Sequence, residues 1–339
     1  MDSLTELVRM LSPAGTVDLH CRFAGNWRVD NAAAPAGHLP YHIILKGQAR
    51  ALVEQEAISL RAGDVLLFPH GSAHTLRSLP DDAGGADART PAQATRFNGL
   101  LTEVTIPGDT HPLDMLCGTF VLGLPGTMLL RNLPPVLRVA TAQRADCAWL
   151  EALIGMMRNE AQAPEPGGTA VIGQLSTALL TLLLRALIAQ GGVTHSVLAL
   201  MADARLAKSI DAVLRAPAEP WSVASLAAVC NVSRATFARR FSQLSGETPL
   251  QFVTTLRMEM AARLLTQDRE SAASIGEHCG YASEAAFGRA FKAYFGVGPG
   301  SFRRAARERR SAAAAAMATG AVKDQEEEEE EDDQDETAG

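Results

Sequence analysis

Hydrophobic positions follow one period in the first third of the chain and another in the rest. From Thr16 to about Phe120 they come in short runs broken by Gly, Pro and Asp: Trp27-Arg28-Val29, Tyr41 to Leu45, Ala51-Leu52-Val53, Ile58-Ser59-Leu60 and Val65 to Phe68. Short runs at this spacing predict a small antiparallel β-barrel or jelly roll. Met1 to Leu11, which mixes Asp2, Glu6 and Arg9 with apolar residues, predicts a short helix and no signal sequence. Asp81 to His111 is too long and too rich in Pro, Gly, Ala and Asp for an ordinary loop. Most of Pro80 to Ala94 therefore reads as a surface excursion, and Asp114 to Phe120 as a buried strand.

After Pro134-Pro135 the period becomes helical. Gln143 to Glu160 places Cys147, Leu150, Ile154 and Met157 on one stripe, and Ala170 to Gln190 is apolar around Arg185. The second segment is long enough to span a membrane, but Gln174, Ser176, Thr177 and Arg185 would be costly there. Packing against the barrel and a second subunit is expected instead. These elements group residues 1–195 into one domain, a barrel with helices expected to dimerise, with 196–205 as a hinge.

From Trp221 to Arg304 one helix-turn-helix pattern appears twice. Ser225-Leu226-Ala227, Cys230-Asn231, Ser233, Phe237, Phe241, Gly246 and Pro249 are answered by Ser274-Ile275-Gly276, Cys279-Gly280, Ser283, Phe287, Phe291, Gly296 and Pro299. From Ser233 to Pro249 the offset is a constant 50, and Phe252 and Phe302 keep it, as two copies of one unit would. A pair of Phe at i, i+4 alone is ordinary helix core. Repetition of cap, aromatic pair, exposed Arg, Gly and Pro together is the argument for more. Ser233 and Ser283 are N-caps of the second helix in each copy. With the aromatic pairs buried, the opposite faces present Ser233, Arg234, Ala235, Thr236, Arg239 and Arg240 in the first copy, and Ser283, Glu284, Ala285, Arg289 and Lys292 in the second. Small residues beside a cation let a helix backbone enter a major groove while the cation reaches a guanine edge or a phosphate. Because the second helix opens with Glu284, the first is expected to carry most base reading and the second to anchor phosphate or meet a polymerase. Between the copies, Phe252, Val253, Leu256, Met260, Leu264 and Leu265 give Pro249 to Gln267 an amphipathic spacing, a helix that would separate the two reading helices by about one DNA turn.

The second copy in particular resembles the AraC/XylS family of transcription regulators. Ile275, Gly280-Tyr281, Ser283, Phe287, Arg289, Phe291, Phe295-Gly296, Pro299 and Phe302-Arg303 fall where the family signature has equivalents. The resemblance covers about Leu206 to Arg310. It implies double-stranded DNA as a partner, and RNA polymerase as a second one. Gly276 departs from the family's usual Ala, which predicts looser packing of that helix.

The net charge of −7 conceals a basic domain. From Ser311 on there are one Lys and eleven acidic residues, whereas Arg205 to Arg310 carries sixteen Lys/Arg against nine Asp/Glu. Positive charge is thus concentrated where DNA would lie, and 311–339 reads as a disordered Ala-rich and acidic tail.

Cys21, Cys117, Cys147, Cys230 and Cys279 contain no CxxC spacing and do not read as a disulfide framework or zinc ribbon. Cys230 and Cys279 read as packing residues of the repeats. The segment Gly63 to His74 resembles the second cupin motif, with Gly63, Pro69, Gly71 and His74 in register. Because His42 is followed by Ile44 instead of His, the cupin metal set is incomplete. His42 and His74 are assigned to an effector pocket, with no metal and no cofactor. The N-terminal part also resembles a cupin-bearing branch of the AraC family that responds to reactive chlorine, on Met1 to Leu4, Pro13, Gly15 to Asp18, Cys21, Trp27, His42, Gly63 to His74 and Cys117-Gly118. That resemblance implies Cys21 and Cys117 as redox sensors, an inert buried thiol being the plainer alternative for each.

The sequence therefore predicts an α+β protein: an N-terminal cupin-like β-barrel with flanking helices, then an all-α domain at 206–310 with two tandem helix-turn-helix units. It reads as a cytoplasmic, homodimeric transcription regulator, an activator, that senses an oxidant through cysteines and is not an enzyme. The alternatives are a regulator whose pocket binds a small-molecule effector or metal, and a cupin enzyme fused to a DNA-binding module.

Overall fold

The structure is a computed structural model and describes residues 2–79, 92–123, 130, 132–141, 147–191, 193–267, 270–309 and 311. By internal contacts these fall into two compact units, 1–216 with 221–255, and 217–220 with 256–339. Each is described by itself.

The first unit opens with α1 (Ser3–Leu11), capped by the Asp2 carboxylate on the Thr5 amide. The strands that follow are β1 (Pro13–Phe23), β2 (Arg28–Asn31), β3 (His38–Lys46), β4 (Gln48–Val53), β5 (Glu56–Arg61), β6 (Asp64–Leu67), β7 (His74–Arg77), β8 (Ala94–Phe97), β9 (Thr102–Ile106), β10 (Leu113–Leu122) and β11 (Leu137–Ala140). They form a seven-stranded sheet in the order β11-β6-β3-β10-β1-β9-β8 and a four-stranded sheet in the order β2-β7-β4-β5. Side chains from both sheets fill one core: Cys21, Phe23, Ile44, Leu66, Met115 and Cys117 from the first, Ala51, Val53, Leu60 and Leu76 from the second. Three strands correct the sequence reading. β8 and β9 form a hairpin inside the stretch taken as loop, and β11 follows Pro134-Pro135 before any helix. β8 is exposed along its whole length, so no alternation marked it. Residues 80–91 of the expected excursion, and 312–339 of the expected tail, lie outside the described residues.

A β-bulge decides what β1 presents. Val17 pairs with Gly118 and Leu19 with Cys117, leaving Asp18 as the extra residue. Before the bulge, Gly15 faces Ser176 of α3 (Gly168–Gln190), so closely that a Cβ there would stand 2.5 Å from the Ser176 Cβ. After the bulge the same alternate positions, Cys21 and Phe23, point into the core between the sheets. Gly118 is also fixed by close approach, since a Cβ would lie 2.0 Å from the Thr16 carbonyl oxygen and 2.6 Å from the Tyr41 ring. The Tyr41 hydroxyl donates to that carbonyl at 2.7 Å.

α3 packs on β1 and on α2 (Ala148–Gln162), which buries Leu150, Leu153, Ile154 and Met157. It is long and apolar enough to cross a membrane, but Leu179, Leu180, Leu183, Leu184 and Leu187 are buried within this unit. The expected hinge, 196–205, instead contains α4 (Val197–Ala202), whose Val197 to Leu200 are buried and which contacts α3, α5 (Ala207–Arg215) and α7 (Arg234–Ser245). An apolar segment of six residues has more to gain from packing than from remaining a linker. α6 (Val223–Val229) and α7 then form the first helix-turn-helix, with Phe237, Phe241 and Phe252 as its aromatic core.

The second unit contains most of α8 (Pro249–Gln267), then α9 (Ala272–His278), α10 (Glu284–Phe295) and a helical segment over 299–309. Met260 and Leu264 on α8 are only half-buried, while Met258, Ala261 and Ala262 are fully buried, so the helix is enclosed on more faces than the expected single stripe. Cys230 and Cys279 are both buried, as packing residues are, and burial pushes the Cys279 thiol up to about 11. Gly276 does the reverse of loosening the packing: a Cβ there would meet the Phe287 Cβ at 2.9 Å, so glycine is what lets α9 and α10 approach.

Candidate DNA-reading and sensory sites

The two helices expected to read DNA, α7 and α10, are built alike. The Ser233 hydroxyl accepts from the Thr236 amide at 3.2 Å and the Ser283 hydroxyl from the Ala286 amide at 3.2 Å, and Gly246 and Gly296 close the helices. With Phe237, Phe241, Phe287 and Phe291 buried, Ser233, Arg234, Ala235, Thr236, Arg239 and Arg240 are exposed on α7, and Ser283, Glu284, Ala285, Arg289 and Lys292 on α10. Arg234, Arg239, Arg289 and Lys292 form no ion pair among the described residues.

Arg240 differs from its neighbours. Its Nε donates to Asp203 Oδ2 at 2.6 Å, from a carboxylate whose side chain is only 8% exposed. The other oxygen, Oδ1, accepts from the Arg205 and Leu206 amides at 3.0 and 3.1 Å. Burial alone would raise the Asp203 carboxyl, but the Leu206 amide and the Arg240 guanidinium outweigh it and hold it below its usual range. Arg240 thus ties α7 to the turn after α4, a role that sequence spacing could not distinguish from groove contact.

The two cysteines expected to sense an oxidant lie in the core of the first unit. Cys21 on β1 and Cys117 on β10 are diagonal neighbours on the same sheet face, with their Sγ atoms 3.9 Å apart. Cys117 pairs directly with His42 on β3, whose Nδ1 is 3.0 Å from Cys117 Sγ. The other nitrogen, His42 Nε2, is 2.7 Å from His74 Nε2, and His74 Nδ1 is 2.9 Å from the Ser72 carbonyl oxygen. His74 begins β7 in the four-stranded sheet, so the His42–His74 bond joins the two sheets. Phe68 stacks on His74 with ring centroids 3.8 Å apart. Burial, and His74 beside it, push His42 down to about 3; burial also lowers His74. The Cys21 thiol and burial hold the Cys117 thiol well above its ordinary range.

All four imidazole nitrogens are therefore engaged, and the expected effector-contacting pair offers no free nitrogen to a ligand. A cavity of about 330 Å³ lies elsewhere, lined by Ile44, Gly63, Thr141, Ile154 and Arg158 among others, and neither histidine lines it. His20 and Arg22, the sequence neighbours of Cys21, turn away to Asp114 and Glu103 at 2.7 and 3.1 Å. The basic group that matters to a thiol here is His42, which strand pairing brings in and chain proximity does not reveal.

A cupin family model matches residues 2–189 and a helix-turn-helix domain model matches residues 226–305. Over 310 residues the chain is 30% identical to the RCS-specific HTH-type transcriptional activator RclR of Escherichia coli strain K12, covering 91% of this chain and 99% of that one. A putative AraC-like transcription regulator of Streptomyces lividans is 29% identical over 316 residues, covering 90% and 98%. The solved DNA-binding domain of AdpA, in complex with a target DNA, is 36% identical and covers 31% of this chain and 95% of that one, with a TM-score of 0.30.

The chain belongs to the AraC family. As a cupin-bearing AraC-type regulator it binds DNA through its helix-turn-helix domain and regulates transcription. Its cupin fold raises the question of a metal. Among the described residues no group of three or more His, Cys, Asp or Glu is placed to hold one. His42 Nε2 and His74 Nε2, at 2.7 Å, are at hydrogen-bond distance, closer than the ~3.3 Å of two imidazoles sharing a cation at about 2.0–2.1 Å each. These residues do not fit a metal ion.

Proposed function

We propose that this AraC-family protein is a cytoplasmic transcription activator whose sensory domain is switched by oxidation of Cys21 and Cys117 to a disulfide, and which acts as a homodimer together with RNA polymerase. The observation that carries the reading is the 3.9 Å separation of the two sulfur atoms on adjacent strands. A disulfide requires about 2.05 Å, so bond formation draws β1 and β10 together at the site where the sheets meet. The sensory core is thereby coupled to a strand on which α3 packs, and α3 contacts α4, which contacts α7.

On DNA, Arg234 and Arg239 of α7 read bases, Ser233, Ala235 and Thr236 allow close approach, and Arg240 braces the helix on Asp203. Arg289 and Lys292 of α10 anchor phosphate or meet polymerase, flanked by Ser283 and Glu284. The dimer reading is supported by a half-exposed apolar stripe on α3 at Val171, Leu175, Ala178 and Leu182, with Trp149 and Met156 exposed on α2 beside it.

The test is oxidant-dependent transcription from a bound operator, with disulfide mapping of the same protein by mass spectrometry. Wild type should form the Cys21–Cys117 bond and activate, while Cys21→Ala and Cys117→Ala should bind DNA but not respond. Full oxidant-dependent transcription by both variants would falsify the redox reading.

A further inference from the structure

The hydrogen bonds around Cys117 have only one consistent direction. A carbonyl oxygen can only accept, so His74 Nδ1, 2.9 Å from the Ser72 oxygen, carries a proton. A neutral imidazole has one N–H, which leaves His74 Nε2 as an acceptor. His42 Nε2, at 2.7 Å, must then donate to it. His42 Nδ1 is left bare, 3.0 Å from Cys117 Sγ, and accepts the thiol proton. Both rings are held neutral by burial, as this arrangement needs. Ser72 thus fixes the tautomer of a base aimed at one of the two cysteines, through a second histidine.

We propose that His42 is the base that takes the Cys117 proton when that sulfur attacks the oxidant, and that His74 is a positioning residue that keeps His42 in the accepting tautomer. This rests on the oxidant-sensing reading above and assigns the order of its steps. At rest Cys117 is a thiol, since Cys21 and burial oppose its ionisation, so the proton must leave as the sulfur reacts. With an oxidant X–OH, where X is Cl in hypochlorous acid or OH in hydrogen peroxide, the Cys117 sulfur attacks X and the X–O bond breaks. The thiol proton passes to His42 Nδ1 and then to the leaving hydroxide, giving Cys117–S–X and water. The Cys21 sulfur, 3.9 Å away, next displaces X from Cys117 and releases HX. The sum is two thiols and X–OH giving one disulfide, HX and water. His42 Nδ1 then has lost its donor, in a ring that also holds the two sheets together. Oxidation therefore disturbs the sheet-to-sheet contact as well as the strand pair.

The experiment uses the full chain with hydrogen peroxide, following the Cys21–Cys117 disulfide over time by mass spectrometry. Loss of a general base predicts a rate lower by on the order of 100-fold in His42→Gln that is folded by circular dichroism. Added imidazole should restore much of the rate in His42→Gly, which a packing role would not allow. His74→Gln, whose amide oxygen can still accept from His42, should react within a few-fold of wild type, and His74→Leu should fall to the His42→Gln rate. In wild type, nitrogen NMR of the histidines should show the proton on Nε2 of His42 and on Nδ1 of His74, a reading that holds even if a variant does not fold. A wild-type disulfide formed at the same rate in folded His42→Gln, or the reverse tautomers, would overturn the base assignment and leave the redox reading standing. Absence of the disulfide in oxidised wild type would overturn both.

Discussion

At His42 burial sets a balance that can be measured apart from any signalling. Its pKa is pushed down to about 3 in the fold, against ~6.5 in an unfolded chain. Between those values the unfolded chain takes up a proton that the folded one refuses, so the contribution is full above about pH 6.5 and lost as pH falls towards 3. Wild type should lose about 2 kcal/mol more than His42→Gln on going from pH 7 to pH 5, as read by urea unfolding. Equal losses would show that His42 is not buried neutral. On α7, Arg239→Ala should weaken operator binding by about 1–3 kcal/mol and relax base preference at one position. Arg240→Ala should instead lower stability, with little change in which bases are preferred. Unaltered operator affinity in Arg239→Ala would remove that residue from the interface. His42 and His74 could be named from the sequence by comparison with the cupin motifs, and Cys21 and Cys117 through the resemblance to the reactive-chlorine branch. Their contacts could not, since Cys117 and His42 are 75 residues apart and meet through pairing of β3 with β10.

Among the elements, the two helix-turn-helix units were the most legible. Each rests on local chemistry: a serine cap, aromatic residues one helical turn apart and a closing glycine, all within about a dozen residues. The copies still differ in how tightly they pack. Ala227 of α6 is accommodated and buried, whereas its counterpart Gly276 lies against Phe287. Gly276→Ala should therefore lower stability despite the better helix propensity of alanine. Overpacking costs about 1–3 kcal/mol against ~1 kcal/mol gained, and thermal unfolding will show the sign. A rise in melting temperature would mean that α9 and α10 separate without cost. α8 was legible as a helix but not in its burial, because a stripe counted at one period cannot show that further faces are covered.

For the whole molecule, the exposed Trp149 and Met156 and the α3 stripe predict association. The full chain should elute as a dimer at micromolar concentration. Trp149→Glu with Leu182→Glu should shift it to monomer while leaving the fold intact by circular dichroism. A wild-type monomer would argue against this face as an interface. The grouping of α6 and α7 with residues 1–216 was not legible in the sequence. The segment 196–205 looked like a linker after Gly191-Gly192, yet α4 buries four residues there and Asp203 holds Arg240. Contacts between segments distant in sequence decided that, and no local propensity reports them.

The sequence by itself determined the class of the protein, because caps, aromatic pairs, basic charge at Arg205 to Arg310 and the Gly63 to His74 motif are local patterns that need no partner to be recognised. Only the tertiary structure decided which way the residues of the proposed sensory site point. One extra residue, Asp18, turns Cys21 from the side of α3 into the core between the sheets, and pairing across β3, β10 and β7 then assembles Cys117, His42 and His74 around it. The alternation of a strand is a period of two and is reset by a single bulge. A site built from four strands therefore depends on registers that the residues of any one strand do not contain.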